Sequence, residues 1–287
     1  MHSSYWTEFL DAEVVRLAGR HRSRVLLAGS GAPVLLLHGT GGHIENYARN
    51  IMALARRRRV VAMDFLWHGG SACPDLTPAV IPALVDQVCD VLDTLGIARA
   101  DLVGQSLGGW VALRAALRHP GRVGRLVLVT AQGYRPDAGS VPGYVEPDGQ
   151  ALQNANLATL RDPSFENVRS RLGRVLAHPD ILPDEAVAVR HKFYNDPEVN
   201  RAQQAFMAVY PTGAALQEQV LTDADLANIA APTLVYWGDS NPVPAAVGRR
   251  LAEQLPNGRF HCAAETGHMA QFESAPEFNR VVAEFLG

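Results

Sequence analysis

Three short stretches of the chain hold residue types suited to acyl transfer. The sharpest is Gly104-Gln105-Ser106-Leu107-Gly108-Gly109. It places a Gly-x-Ser-x-Gly pentapeptide between an apolar run, Asp101 to Val103, and a helical pattern, Leu107 to Arg118. A sharp strand-to-helix turn lifts a serine hydroxyl above the sheet edge, and flanking glycines keep other side chains away. An isolated Gly-Ser-Gly is an ordinary turn, but this context makes Ser106 the candidate nucleophile. The helix behind it aims its first N–H groups at developing negative charge. Leu107 N–H is therefore a candidate oxyanion donor.

The second stretch, His38-Gly39-Thr40-Gly41-Gly42-His43, follows the apolar run Val34 to Leu37. A glycine-rich turn leaves backbone N–H groups free to stabilise an oxyanion, and a donor is expected at Thr40 or Gly41. Alone, this stretch reads as a tight turn with a structural histidine; paired with Ser106 it completes a site. The third stretch is Thr266-Gly267-His268-Met269-Ala270-Gln271-Phe272-Glu273. A base must take the serine proton and pass it to the leaving group, which histidine can do. Of ten histidines, His38 and His43 belong to the glycine turn, and His119, His178 and His191 lie in helical or loop contexts. His268 alone follows the last apolar run in the order Ser…Asp…His. The acid that holds its tautomer is expected at Asp239, just after the run Thr233 to Trp237. Asp64, Asp137, Asp223 and Asp225 are rivals.

These groups need a scaffold. Apolar runs at Val34–Leu37, Val60–Met63, Asp101–Gly104, Leu126–Val129, Thr233–Trp237 and Arg259–Cys262 read as strands covered on both faces. Helical patterns fall at Ile44–Ala55, Ala79–Leu95, Leu107–Arg118, Pro244–Leu255 and Ala275–Phe285. Such alternation predicts a mostly parallel α/β sheet with helices on both faces. It breaks between Tyr134 and Asp225. Gly133 to Gly149 reads as a loop. Helical segments follow at Gln150–Leu160, Phe165–Ala177, Asp184–Tyr194 and Arg201–Tyr210. The expected organisation is a core of residues 1–133 and 226–287 with an inserted helical lid, 134–225.

Composition narrows the class. The 287 residues are 47% hydrophobic and 19% charged, with a formal charge of −3. That is too apolar for a disordered chain. Acids outnumber bases 29 to 26, so no basic nucleic-acid surface is expected. The cluster Arg56–Arg59 reads as a solvated helix end. Cys73, Cys89 and Cys262 form no CxxC pair, so neither a disulfide framework nor a zinc site is expected. No secretory signal and no membrane-spanning apolar stretch is read. The expectation is a soluble cytoplasmic protein acting on a small molecule, with no metal or organic cofactor.

These motifs, in this order and spacing, resemble the α/β-hydrolase superfamily over nearly the whole chain. Within it the chain resembles most the meta-cleavage-product hydrolases. Those serine hydrolases break a carbon–carbon bond in vinylogous 1,5-diketone acids made by ring-cleaving dioxygenases. The resemblance rests on His38 to His43 with Asn46-Tyr47 and Arg49-Asn50, then Glu166-Asn167-Val168-Arg169, Asp184-Glu185, Val189-Arg190, and Gly267 to Glu273. It implies an eight-stranded-type core, an asparagine near the oxyanion site at Asn46, and a lid arginine for the substrate carboxylate and dienolate at Arg190. Arginine suits that task because its planar fork meets a carboxylate bidentately. A homodimer is implied by the resemblance alone.

The chain departs from that pattern at three places. Gln105 stands where asparagine is common, Met269 where tryptophan is usual, and the loop Trp237-Gly238-Asp239-Ser240-Asn241 is one residue short. Gln105 still offers an amide to substrate, and Met269 supplies a pliable pocket wall. Three readings stay open: a carbon–carbon hydrolase, a carboxylesterase or lactonase on a small apolar acyl compound, and a ligand-binding or non-hydrolytic cyclase homologue.

Overall fold

A computed structural model describes residues 4–145 and 148–287. Eight strands form one sheet: β1 (Glu13–Arg16), β2 (Arg24–Ala28), β3 (Pro33–Leu37), β4 (Arg59–Met63), β5 (Ala100–Gln105), β6 (Val123–Val129), β7 (Thr233–Gly238) and β8 (Gly258–Ala263). Their spatial order is β1-β2-β4-β3-β5-β6-β7-β8. Only β1–β2 and β2–β4 pair antiparallel; every other pair is parallel. β5 and β7 are buried at every position, as strands covered on both faces must be. β1 lacks an apolar run and is mostly exposed, which is why no sequence pattern announces it.

Two apolar clusters sandwich the sheet. One packs the helices Val80–Thr94 and Leu107–Arg118 against Leu35, Leu102, Leu126 and Val235. The other packs Ile51–Ala55 and the C-terminal helix Ala275–Leu286 against Leu36, Val103, Val127 and Tyr236. The helix Val80–Thr94 buries Val80, Ile81, Leu84, Val85, Val88, Val91 and Leu92, a stripe at three- and four-residue spacing. Each such side chain contributes about 1.5–3 kcal/mol when fully buried. The expected helix Ile44–Ala55 is instead a 3₁₀ turn, Ile44–Tyr47, and a short helix, Ile51–Ala55. The break comes at Asn50, whose side-chain amide turns inward to Gln271 O (2.8 Å) and Asn279 Oδ1 (2.9 Å).

Between β6 and β7 the chain is helical, at Gly149–Arg161, Phe165–Gly173, Asp184–Tyr194, Pro197–Val209, Ala214–Gln217 and Asp223–Leu226. No strand interrupts this stretch among the described residues. No helix of the described residues is long and apolar enough to cross a membrane.

Candidate active site

The loops that leave β3, β5, β6, β7 and β8 meet at one edge of the sheet. Ser106 ends β5 with φ +53° and ψ −113°, an unusual backbone for any residue other than glycine. Close packing enforces it. A Cβ on Gly108 would come within 2.1 Å of Leu37 O, so the helix can start directly against β3 only with glycine there. Ser106 N–H donates to Val129 O at 3.0 Å, which ties the turn to β6. As first residue of the helix, Leu107 has no intrahelical acceptor for its N–H. Among the described residues the N–H groups of Leu107, Thr40 and Gly41 make no hydrogen bond. Gly41 has φ +67° and lies against Tyr194 and Arg171, where a Cβ would meet Tyr194 Oη at 2.4 Å.

His38 is a structural histidine. Its Nδ1–H donates to Gly39 O (2.7 Å), and its Nε2 accepts from Phe65 N–H (3.0 Å). Complete burial holds its pKa well below the ordinary histidine value. Arg24 fixes the other end of the turn by bridging Glu45 (2.5 Å) and Asp64 (2.9 Å). Asp64 also accepts from the N–H groups of Ile44 and Gly70, each at 2.7 Å. Asn46, in the same turn, is thereby placed at the cavity.

A cavity of about 310 Å³ lies over this edge. Ser106, His268, Gln105, Thr40, Asn46, Met269 and Arg190 all line it. The Ser106 hydroxyl and His268 Nε2 carry no protein hydrogen bond among the described residues, so both face the cavity unengaged. Two donors fix the His268 backbone carbonyl, Thr130 Oγ1 at 2.7 Å and Gln105 Nε2 at 3.2 Å. Gln105 therefore spends an amide hydrogen on the histidine loop. Burial alone lowers the His268 pKa to about 4.

The expected acid is displaced. Asp239 is exposed; its Oδ1 accepts from Thr266 N–H (3.2 Å) and from the Ser240 hydroxyl (2.9 Å). The atom that meets His268 Nδ1 is Asn241 Oδ1, at 2.9 Å. Asp239 still runs in sheet register, its N–H bonded to Ala263 O at 3.0 Å, and its side chain turns to water. The chain curls inward only two residues later. The rivals are also committed elsewhere. Asp64 belongs to the Arg24 pair, Asp223 meets Tyr134 and Arg250, and Asp225 caps a helix with Thr222. Asp137 is exposed.

Opposite Ser106 the helices between β6 and β7 contribute cations. Arg190 is 3% exposed, with Nη2 donating to Asn46 Oδ1 (3.1 Å) and Nη1 to Tyr194 Oη (3.4 Å), while Nε is buried without a partner. Burial lowers its pKa to about 10. Arg171 is buried beside it, its Nε bonded to Asn156 Oδ1 (2.9 Å) and its Nη1 to the same Tyr194 hydroxyl. Burial and the like charges of Arg190 and Arg174 lower its proton affinity. Neither Arg171 nor Arg190 has a carboxylate partner among the described residues. Sequence reasoning missed Arg171. Its signal was an arginine in step with Val168 and Leu172 on the buried face of an amphipathic helix. Arg169, part of the quoted motif, instead pairs with Asp184 at the surface. Among the described residues no cluster of three or more His, Cys, Asp or Glu is arranged for a metal ion.

Residues 32–275 match the model of the alpha/beta hydrolase fold family. The chain is 32% identical to a 2-hydroxymuconate semialdehyde hydrolase of Pseudomonas sp. (strain CF600), over 94% of this chain and 92% of that protein. It is 34% identical to a 2-hydroxy-6-oxononadienedioate/2-hydroxy-6-oxononatrienedioate hydrolase of Burkholderia vietnamiensis, over 90% and 88% of the two chains. Among solved structures, a meta-cleavage product hydrolase from Pseudomonas fluorescens superposes with a TM-score of 0.82 at 28% identity, covering 96% of this chain and 97% of that one. A serine on a strained strand-to-helix turn, a histidine loop at the same sheet edge and relatives aligned nearly end to end agree: the chain belongs to the α/β-hydrolase family, is similar to its meta-cleavage-product hydrolases, and is a hydrolase.

Proposed function

We propose that the protein is a serine hydrolase that cleaves a carbon–carbon bond in a vinylogous 1,5-diketone acid, the product of aromatic-ring meta-cleavage. Residues 134–225 act as its lid. The observation that carries this reading is the pair of buried arginines, Arg190 and Arg171, that line the same cavity as Ser106 and have no carboxylate in direct contact among the described residues. A buried cation without a direct ion pair is costly. A substrate carrying a carboxylate beside an enolate oxygen supplies the missing charge at the polar end of the cavity. The names of the relatives support the same substrate class.

Chemically, the bound dienol is ketonised first by moving a proton from its hydroxyl to carbon. The Ser106 oxygen then adds to the distal carbonyl as His268 takes its proton. The N–H groups of Leu107 and of Thr40 or Gly41 face the developing oxyanion. Collapse breaks the carbon–carbon bond. The electron pair passes into the carbonyl beside the carboxylate, His268 gives that oxygen the proton it took from Ser106, and a hydroxydienoic acid leaves. Water, deprotonated by His268, releases the remaining acyl group from Ser106 as a second acid.

The two arginines separate this reading from an esterase. Arg190→Ala is expected to lower kcat/KM for a meta-cleavage dienoate at least ~30-fold, the size of about 2 kcal/mol for a truncated buried charge contact. Arg171→Met is expected to lower it about tenfold. Hydrolysis of a neutral p-nitrophenyl ester should barely change in either variant. Equal losses on both substrates, or none on either, would refute the anion anchor and favour a neutral ester or lactone.

A further inference from the structure

We propose that Asn241, not Asp239, positions the catalytic histidine, and that it does so as a neutral amide. The proposal rests on the reading of Ser106 and His268 as nucleophile and base, and not on the identity of the substrate.

The geometry fixes which end of the amide faces the ring. Asn241 Nδ2 donates to Val243 O at 2.8 Å, and Oδ1 faces His268 Nδ1 at 2.9 Å. Val243 O also accepts from Trp237 Nε1 at 2.9 Å, so it is committed as an acceptor. Turning the amide over would set two carbonyl oxygens against each other and lose that bond. The oxygen must therefore face the ring. An amide oxygen only accepts, so His268 must carry its hydrogen on Nδ1. That leaves the Nε2 lone pair for the cavity and Ser106. An asparagine free to rotate could donate to Nδ1 and lock the wrong tautomer; here the Val243 carbonyl prevents it. Asn241 is 7% exposed, so water does not compete for the contact.

What the amide does not supply is charge. Among the described residues no other group around the ring replaces it. On its own loop, Glu265 is exposed. From the loop after β7, Asp239 is bound to Thr266 N–H and faces water. From the helix Ala270–Glu273, Glu273 spends both oxygens on Gly267 N–H and Ala177 N–H. From the helices between β6 and β7 come only cations, Arg171, Arg174 and Arg190. The imidazolium that forms during turnover thus meets no carboxylate among the described residues. The base is oriented as in a carboxylate-backed triad but is weaker, and it stays unprotonated far into acid.

The test is the pH dependence of Ser106 labelling by a fluorophosphonate, which needs no carbon–carbon substrate. In the wild-type protein the labelling rate should hold to below pH 5 and fall only near the His268 value of about 4. Asn241→Asp puts a negative charge beside the ring and should move that acid limb up by about 1–3 pH units. Asp239→Asn should leave both rate and limb unchanged. A limb that stays put in Asn241→Asp, or that moves in Asp239→Asn, overturns the proposal. The aspartate variant sets an oxygen against Val243 O; should it not fold, Asp239→Asn decides alone. Wild-type protein that does not label at any pH overturns both this proposal and the reading of the nucleophile. Labelling with the expected limb but no dienoate turnover would leave this proposal standing and remove only the substrate.

Discussion

Four histidines near the sheet edge that bears Ser106 are held neutral by burial. His38, His43, His68 and His268 all have proton affinities lowered below the ordinary value, to about 3 for His68 and about 4 for His268. An unfolded histidine titrates near ~6.5. Between that pH and the folded values, the unfolded chain binds more protons than the folded one. Stability is therefore full above about pH 6.5 and is lost as pH falls below it. The melting temperature should drop by about 5 °C or more between pH 7 and pH 5. A flat melting temperature over that interval would mean that these rings are charged in the fold. At this scale the sequence spoke clearly only where a residue type has one use. Ser106 in its elbow and His268 after the last strand were legible. Asp239 and Asn241 lie two residues apart in one loop, and no local pattern says which turns inward. That choice depends on how far sheet pairing continues past β7, a tertiary contact with Ala263 and Thr266.

Among the polar ties that hold the elements to one another, Glu273 makes two. Its carboxylate accepts from Gly267 N–H (3.1 Å), in the histidine loop, and from Ala177 N–H (2.7 Å), beyond the helix Phe165–Gly173. His268 N–H donates to Val175 O at 2.8 Å beside them. The histidine loop thus rests on the segment we read as the lid. Glu273→Ala should lower kcat about tenfold and the melting temperature by about 3–6 °C, since two charge-assisted bonds are lost. Unchanged kcat with a lowered melting temperature would confine the tie to stability. The strands β3 to β7 were readable because doubly covered strands are apolar runs rich in Val and Leu; β8, Gly258–Ala263, is mostly half-buried or exposed and gave a weaker run. β1 and β2, at the antiparallel edge, gave no such run that was recognised. Helices Leu107–Arg118 and Asp184–Tyr194 were placed to the residue, because apolar spacing and clear ends agreed.

Across the whole molecule, groups far apart in sequence converge because parallel strands end on one edge. Residues 38 to 46, 105 to 107, 130, 241 and 268 come from five different loops, and Arg171 and Arg190 come from the helices above them. The sheet carries Ser106, His268 and the N–H groups of Leu107, Thr40 and Gly41; the helical segment carries the two buried arginines, which in the proposed function select an anionic substrate. The central claim is that the two act together on a meta-cleavage dienoate. Purified protein mixed with such a yellow dienoate, followed by its visible absorbance, tests that claim directly. Rapid bleaching, slowed at least about a thousandfold in Ser106→Ala, is the predicted result. Absence of bleaching by protein that still labels at Ser106 would contradict it.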